Sequence, residues 1–224
     1  MSEALHQIRF PNENPAYRNA RNALLEAELG LRRQIETVAA LRRALPPGGE
    51  IPEDYVFDSD EGPVRLSALF GDKDTLIVYS YMYSAKMDAP CPACTSILDG
   101  IDATVQHVLP RAAVVAVAKS PMARIRTFAD QRGWTQLRLL SSEGNSYNAD
   151  YHGEKENGAQ MPALNVFTRR DGRIRHFWCT ELLFGKADPG QNDRHVDLIW
   201  PMWNLFDVTP EGRGEHTHPE LSYG

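Results

Sequence analysis

Apolar positions recur at helical intervals from about Tyr17 to Leu45. Leu24, Leu31, Ile35, Val38 and Leu45 form one stripe among Arg and Glu, and that spacing predicts a long amphipathic helix. Gly30 is its one weak helix former. Pro46-Pro47-Gly48-Gly49 ends it, because proline cannot donate to the helical ladder and glycine takes the left-handed exit without strain. The stripe is expected to pack on the body of its own chain or on a second subunit. From Tyr55 the period shortens: Tyr55-Val56-Phe57, a turn at Asp60-Glu61-Gly62 and Val64-Arg65-Leu66 read as a hairpin, and Thr75 to Tyr81 as a buried strand.

The loop Met82 to Pro90 leads to a helix from Cys94 to about His107. The apolar run Ala113 to Ala118 is a central strand, and a helix from Pro121 to Arg132 stops at Gly133. Another strand follows at Leu137 to Leu140. Ala163 to Thr168 and Arg173 to Cys179 flank Asp171-Gly172, the residue pair that favours a tight hairpin turn. This order predicts an α/β three-layer sandwich with a mixed central sheet, parallel in its core and antiparallel at one edge. The expected divisions are an N-terminal helical arm (1–50), a main domain (51–208) and a polar tail (209–224). Trp200, Trp203 and Phe206 read as core or as an interface with the arm.

Composition narrows the functional classes. The 224 residues carry 30 acidic against 24 Lys and Arg side chains, a net charge of −6, which argues against a nucleic-acid scaffold built on clustered cations. No apolar run approaches the roughly 18 residues of a membrane span, and the first residues show no basic-then-apolar export pattern. A cytoplasmic setting is expected, with a protein or small-molecule disulfide or thiol as partner and a homodimer possible. Three cysteines, an odd number, do not make a disulfide framework in a chain of this size.

Two of those three stand as Cys91-Pro92-Ala93-Cys94. A CxxC after a central strand and at the first turn of a helix meets unpaired N–H groups and the positive end of the helix dipole, which favour a thiolate on the first cysteine. Cys91 is then placed to attack a disulfide and Cys94, one turn on, to resolve the mixed disulfide. Pro92 suits a helix's first turn. The loop Met82 to Pro90 brings Tyr81, Tyr83, Lys86 and Asp88 towards the dithiol, and Tyr83 is a candidate wall of a substrate pocket. Met161-Pro162 precedes the strand Ala163 to Phe167, a position compatible with a cis peptide that would expose the Met161 backbone to a docking substrate. No bound cofactor is required.

These residues resemble the thioredoxin fold of the AhpC/TSA, peroxiredoxin-like group. More closely, Tyr17 to Gly212 resembles an uncharacterised bacterial thioredoxin-like family described as predicted dithiol-disulfide oxidoreductases. The blocks that carry the likeness are Ala89-Pro90-Cys91-Pro92-Ala93-Cys94-Thr95, Arg132-Gly133-Trp134, Asn165-Val166-Phe167 and Trp203 to Gly212. The resemblance implies Cys91 as nucleophile, Cys94 as resolving thiol and Pro162 as a cis-proline. The Pro-Ala pair between the cysteines departs from the thioredoxin pattern, so the direction of electron flow stays open. A first alternative is a thiol peroxidase using Cys91, weakened because Asp88 stands where a peroxidase carries a hydroxyl. A second is a metal-binding or interaction module, in which the three cysteines join His107, His152 or His176; the missing second ligand pair argues against it, and no metal ligand is assigned. Cys179 reads as a buried packing residue, His107 and His152 as a helix-end and a solvated histidine. Arg194-His195-Val196-Asp197 lacks a serine motif, and His216 and His218 lie in the polar tail.

Overall fold

The computed structural model describes residues 6–191, 199–214 and 218–223. Arg194-His195-Val196-Asp197 and His216 lie outside these. The chain divides into two compact units, Met1–Pro46 and Pro47–Gly224. The first is dominated by α1 (Pro15–Arg43, 29 residues), whose N-terminus is capped by the Asn14 side chain accepting from the Tyr17 N–H at 2.9 Å. Arg42 and Arg43 occupy its last turn, where cations oppose the negative end of the dipole. Its one buried side chain is Arg18, ion-paired with Glu13, while Leu24, Leu31 and Ile35 are exposed.

In the second unit the strands are β1 (Val56–Ser59), β2 (Gly62–Arg65), β3 (Thr75–Tyr81), β4 (Ala113–Ala118), β5 (Arg138–Ser141), β6 (Ala163–Arg170) and β7 (Arg173–Cys179). They form one sheet of order β2-β1-β5-β4-β3-β6-β7. β3, β4 and β5 are parallel; β1 and β6 beside them run antiparallel to that core, and β2 and β7 pair antiparallel with β1 and β6, so both edges rather than one are antiparallel. The helices are α2 (Leu66–Leu69), α3 (Pro92–Val108), α4 (Met122–Arg132), α5 (Tyr147–Asp150) and α6 (Pro201–Asp207). This is the three-layer, thioredoxin-like arrangement with a mixed sheet that the sequence predicts.

Residue chemistry accounts for the layers. β4 is paired on both edges, and Val114 to Ala118 are buried, as suits a continuous apolar run. On one sheet face Tyr79, Tyr81 and Leu164 pack with Cys94, Ile97 and Leu98 of α3, Ile125 and Ala129 of α4 and Trp203 of α6. On the other, Val78, Val115 and Phe167 pack with Tyr55, Leu66 of α2 and Tyr147 of α5. The β6–β7 turn places Asp171 and Gly172 at φ 53° and 72°, the left-handed pair that a two-residue turn demands. Gly133 ends α4 at φ 79°. α2 and α5 escape the sequence reading because four residues show no helical period. α6 escapes it because its aromatics fix burial but not conformation; Trp200 and Trp203 are 2% and 5% exposed, packed with α3 residues. Among the described residues no helix is long and apolar enough to cross a membrane.

The glycines after α1 have a second role. Residues 48–51 lie along β7: Ile51 N–H donates to Ile174 O at 3.1 Å and His176 N–H to Gly49 O at 2.9 Å. A Cβ on Gly48 would stand 2.1 Å from the His176 carbonyl oxygen. Gly48→Ala is therefore expected to push this segment off β7, costing about 2–3 kcal/mol and lowering Tm by several degrees in a thermal melt. An unchanged Tm would refute the close approach.

Candidate active site

Cys91 is the N-cap residue of α3, with extended backbone at φ −62° and ψ 122°. Its carbonyl accepts the first helical hydrogen bond from Thr95 N–H at 2.9 Å, and its own N–H donates to Met82 O, just past β3, at 3.0 Å. The nucleophile candidate is thus fixed between the end of a central strand and the start of a 17-residue helix, where the dipole favours an anion. Pro92 occupies the first helical position, where no N–H is needed. Cys91 is partly exposed, and neither it nor Cys94 is disulfide-bonded.

Cys94 is wholly buried. Burial pushes its thiol well up, and hydrogen bonding to Cys91 pushes it further, against a smaller opposing hydrogen-bond effect from Tyr79. The two cysteines are therefore close but unequal. One meets solvent at a helix N-terminus, and the other is kept protonated in the core.

The floor beneath them is aromatic. Tyr79, Tyr81 and Tyr83 alternate along and just beyond β3, and so share its α3 face. The Thr95 hydroxyl donates to Cys91 O at 2.9 Å, which leaves its oxygen to accept from the Tyr81 hydroxyl at 3.2 Å. Tyr83 is buried against Tyr81 and Phe128, with ring centroids 5.9 Å away in each case. Lys86 and Asp88 are exposed on the loop.

α3 is also anchored at its middle, a feature the sequence did not disclose. Asp99 accepts from Arg132 Nε at 2.8 Å, Arg132 Nη2 at 2.6 Å and Trp134 Nε1 at 2.8 Å. Asp102, nearly buried, accepts from the backbone N–H groups of Gln136 and Leu137 at 2.9 and 2.8 Å, and more weakly from Thr135 at 3.4 Å. Trp200 Nε1 donates to Ser96 Oγ at 3.1 Å. Arg132-Gly133-Trp134 was the visible half of this network; the carboxylates half a helix away carried no signal.

The Met161–Pro162 peptide is trans, as is every described peptide bond, which corrects the expected cis-proline. Met161 N–H donates to Gly153 O at 2.9 Å, and the ladder with β3 begins at Ala163 opposite Ser80. Pro162 therefore stands where no N–H is required, and the ordinary trans form, favoured by about 0.5–1 kcal/mol, suffices. The register still brings Pro162 to the end of the sheet where Met82 binds Cys91. Met161 and Pro162 are half-buried, and Met161 lines a cleft of about 850 Å³ with His152, Lys155, Asn157 and Phe184.

The remaining candidates sit elsewhere. Cys179 pairs with Asn165, whose side chain faces away from that of its neighbour Leu164. The sheet therefore separates Cys179 from the dithiol, and burial raises its thiol. His107 lies exposed in the last turn of α3, and His152 is exposed at φ 58°. Among the described residues no group of three or more His, Cys, Asp or Glu is arranged to hold a metal ion.

His176 is half-buried, stacked on Tyr151 at 5.5 Å and bonded through Nε2 to Asn165 Oδ1 at 2.9 Å. Burial lowers its pKa from 6.5, against an opposing pull from Glu181. Above that value the ring is neutral in both folded and unfolded chains. On acidification the unfolded chain takes the proton first, so stability falls as pH drops below 6.5. Urea midpoints between about pH 7 and pH 5 should show this slope reduced in His176→Gln; an equal slope in both proteins would remove His176 from the account.

A CxxC whose first cysteine caps a helix at the end of a central parallel strand, within this sheet order, defines a thioredoxin-like fold with a dithiol. The chain belongs to the family described as "Bacterial protein of unknown function (DUF899)", which it matches over residues 7–223. No curated protein matches it. Among solved structures it is similar to a peroxidoxin of Mycobacterium tuberculosis (20% identity, 72% of this chain and 97% of that chain, TM-score 0.47). It is also similar to peroxiredoxin Q of Xanthomonas campestris (15%, 68% and 91%, TM-score 0.44) and to a 2-Cys peroxiredoxin of Plasmodium vivax (16%, 71% and 97%, TM-score 0.45).

Proposed function

We propose that this protein is a cytoplasmic thiol–disulfide oxidoreductase that exchanges electrons with a protein or small-molecule disulfide. The carrying observation is the inequality of the pair: Cys91 partly exposed at the N-cap of α3, Cys94 buried one turn on. In the reductive direction the Cys91 thiolate attacks one sulfur of the substrate disulfide. A Cys91–substrate bond forms and the other substrate sulfur leaves as thiolate. Cys94 then gives its proton to the departed substrate thiolate and attacks the Cys91 sulfur, breaking the Cys91–substrate bond and releasing the second substrate sulfur as a thiolate that takes a proton from solvent. The products are a Cys91–Cys94 disulfide and a substrate dithiol, two electrons having passed to the substrate. The same steps reversed would oxidise a dithiol, and turnover requires an external thiol or disulfide. Burial of Cys94 keeps it a thiol during the first attack, which separates the two roles.

Met161 and Pro162 form the proposed docking edge, Pro92 leaves the first turn free of a competing donor, and Tyr83 supports the pocket wall from below. The test is oxidation of the tag-free protein by a mild disulfide oxidant. A mass loss of two hydrogens assigned to the Cys91/Cys94 peptides is expected; a pair that stays reduced sinks the reading.

A further inference from the structure

The loop between β3 and Cys91 is organised by a residue that the exchange scheme leaves unused. Arg124, in the first turn of α4, donates from Nη1 to the carbonyls of Ser84 at 3.0 Å and Ala85 at 3.3 Å. From Nη2 it donates to Asp88 O at 3.0 Å and to Met87 O. Its guanidinium lies over the Tyr83 ring, 4.5 Å from the centroid. The loop has few other ties: Ala85 N–H donates to Lys119 O at 3.1 Å and Met87 N–H to Ser84 O at 3.1 Å. Among the described residues no carboxylate forms an ion pair with Arg124.

Four carbonyl oxygens around one cation are four partial negative charges neutralised close to the dithiol. Asp88 is three residues from Cys91, at most about 11 Å along the backbone. Without the guanidinium those four carbonyls would lose their common partner, and the loop that ends in the Cys91 N-cap would lose its frame. Lysine cannot replace it, since an ammonium is a point charge that neither forks to four acceptors nor stacks flat on a ring.

We propose that Arg124 is a positioning residue that holds the 82–90 loop so that Cys91 reacts as a thiolate. The proposal rests on the oxidoreductase reading above. The test compares alkylation of Cys91 by iodoacetamide at neutral pH in wild type, Arg124→Ala and Arg124→Lys, with the site assigned by peptide mass. The Ala variant is expected to react roughly tenfold more slowly, equivalent to about 1.4 kcal/mol. The Lys variant should remain slow despite its charge, and millimolar methylguanidinium should restore the rate of the Ala variant. The glutathione equilibrium of the Cys91/Cys94 pair, read on the same proteins, should shift with the thiolate. Alkylation within twofold of wild type in a folded Lys or Ala variant overturns the proposal, and either variant suffices if the other does not fold. A wild-type pair that forms no disulfide would instead sink the oxidoreductase reading, while the alkylation comparison would still decide the role of Arg124.

Discussion

Cys91→Ser is expected to reduce disulfide exchange by roughly a thousandfold or more, because a hydroxyl is not ionised at neutral pH and forms no stable bond to sulfur. Cys94→Ser should behave differently. It keeps the attacking thiolate but has no resolving thiol, so a mixed disulfide on Cys91 should accumulate and be released only by added reductant. The contrast follows from placement, since Cys91 is partly exposed at the α3 N-cap and Cys94 is in the core. A chromogenic aromatic disulfide gives the readout: two equivalents of coloured thiol from wild type, one from Cys94→Ser and none through this pair from Cys91→Ser. Equal release from wild type and Cys94→Ser would show that Cys94 does not resolve. Cys179, buried beyond the sheet, should stay unmodified in all three until the protein unfolds.

Asp102→Ala is expected to be the most destabilising of the substitutions considered. It removes the carboxylate that accepts from the N–H groups of Gln136 and Leu137, with Thr135 nearby, where β5 begins. The buried Leu137 N–H left without a partner costs about 1–3 kcal/mol, and the N–H of the exposed Gln136 adds less. A loss of roughly 2–4 kcal/mol would lower Tm by roughly 5–10 °C in a domain of this size. Asp102→Asn, which keeps one acceptor oxygen, should lose less. If the alanine variant melted within a degree or two of wild type, the carboxylate would not be the link between α3 and β5. Because the same link sets α3 against the sheet, exchange by Asp102→Ala should also slow, though far less than in Cys91→Ser.

Most of the strand layout is legible because its chemistry is local. The β4 run is apolar along its whole length, Asp171-Gly172 is a turn by conformation alone, and Gly133 stops α4 by its left-handed φ. The CxxC is legible for the same reason, since its meaning depends on four consecutive residues and on the strand and helix beside it. What failed was of another kind. The cis-proline rested on a proline standing before a strand in a CxxC chain and on resemblance, and the trans bond answers to a ladder that starts one residue later. α5 and α6 lacked a period to read. Arg124, Asp99 and Asp102 are ordinary charged residues of amphipathic helices until their partners, 33 to 40 positions away in sequence, are brought alongside.

Composition and pattern alone thus determined an α/β chain with one dithiol motif at a strand-to-helix junction, because helix caps, turns and buried strands are encoded within a few residues. Tertiary structure alone decided which cysteine meets solvent, that Cys179 lies across the sheet from the pair, and which cations and carboxylates hold α3 and its loop. Burial and long-range hydrogen bonds set those features, and both depend on which distant segments the fold packs together.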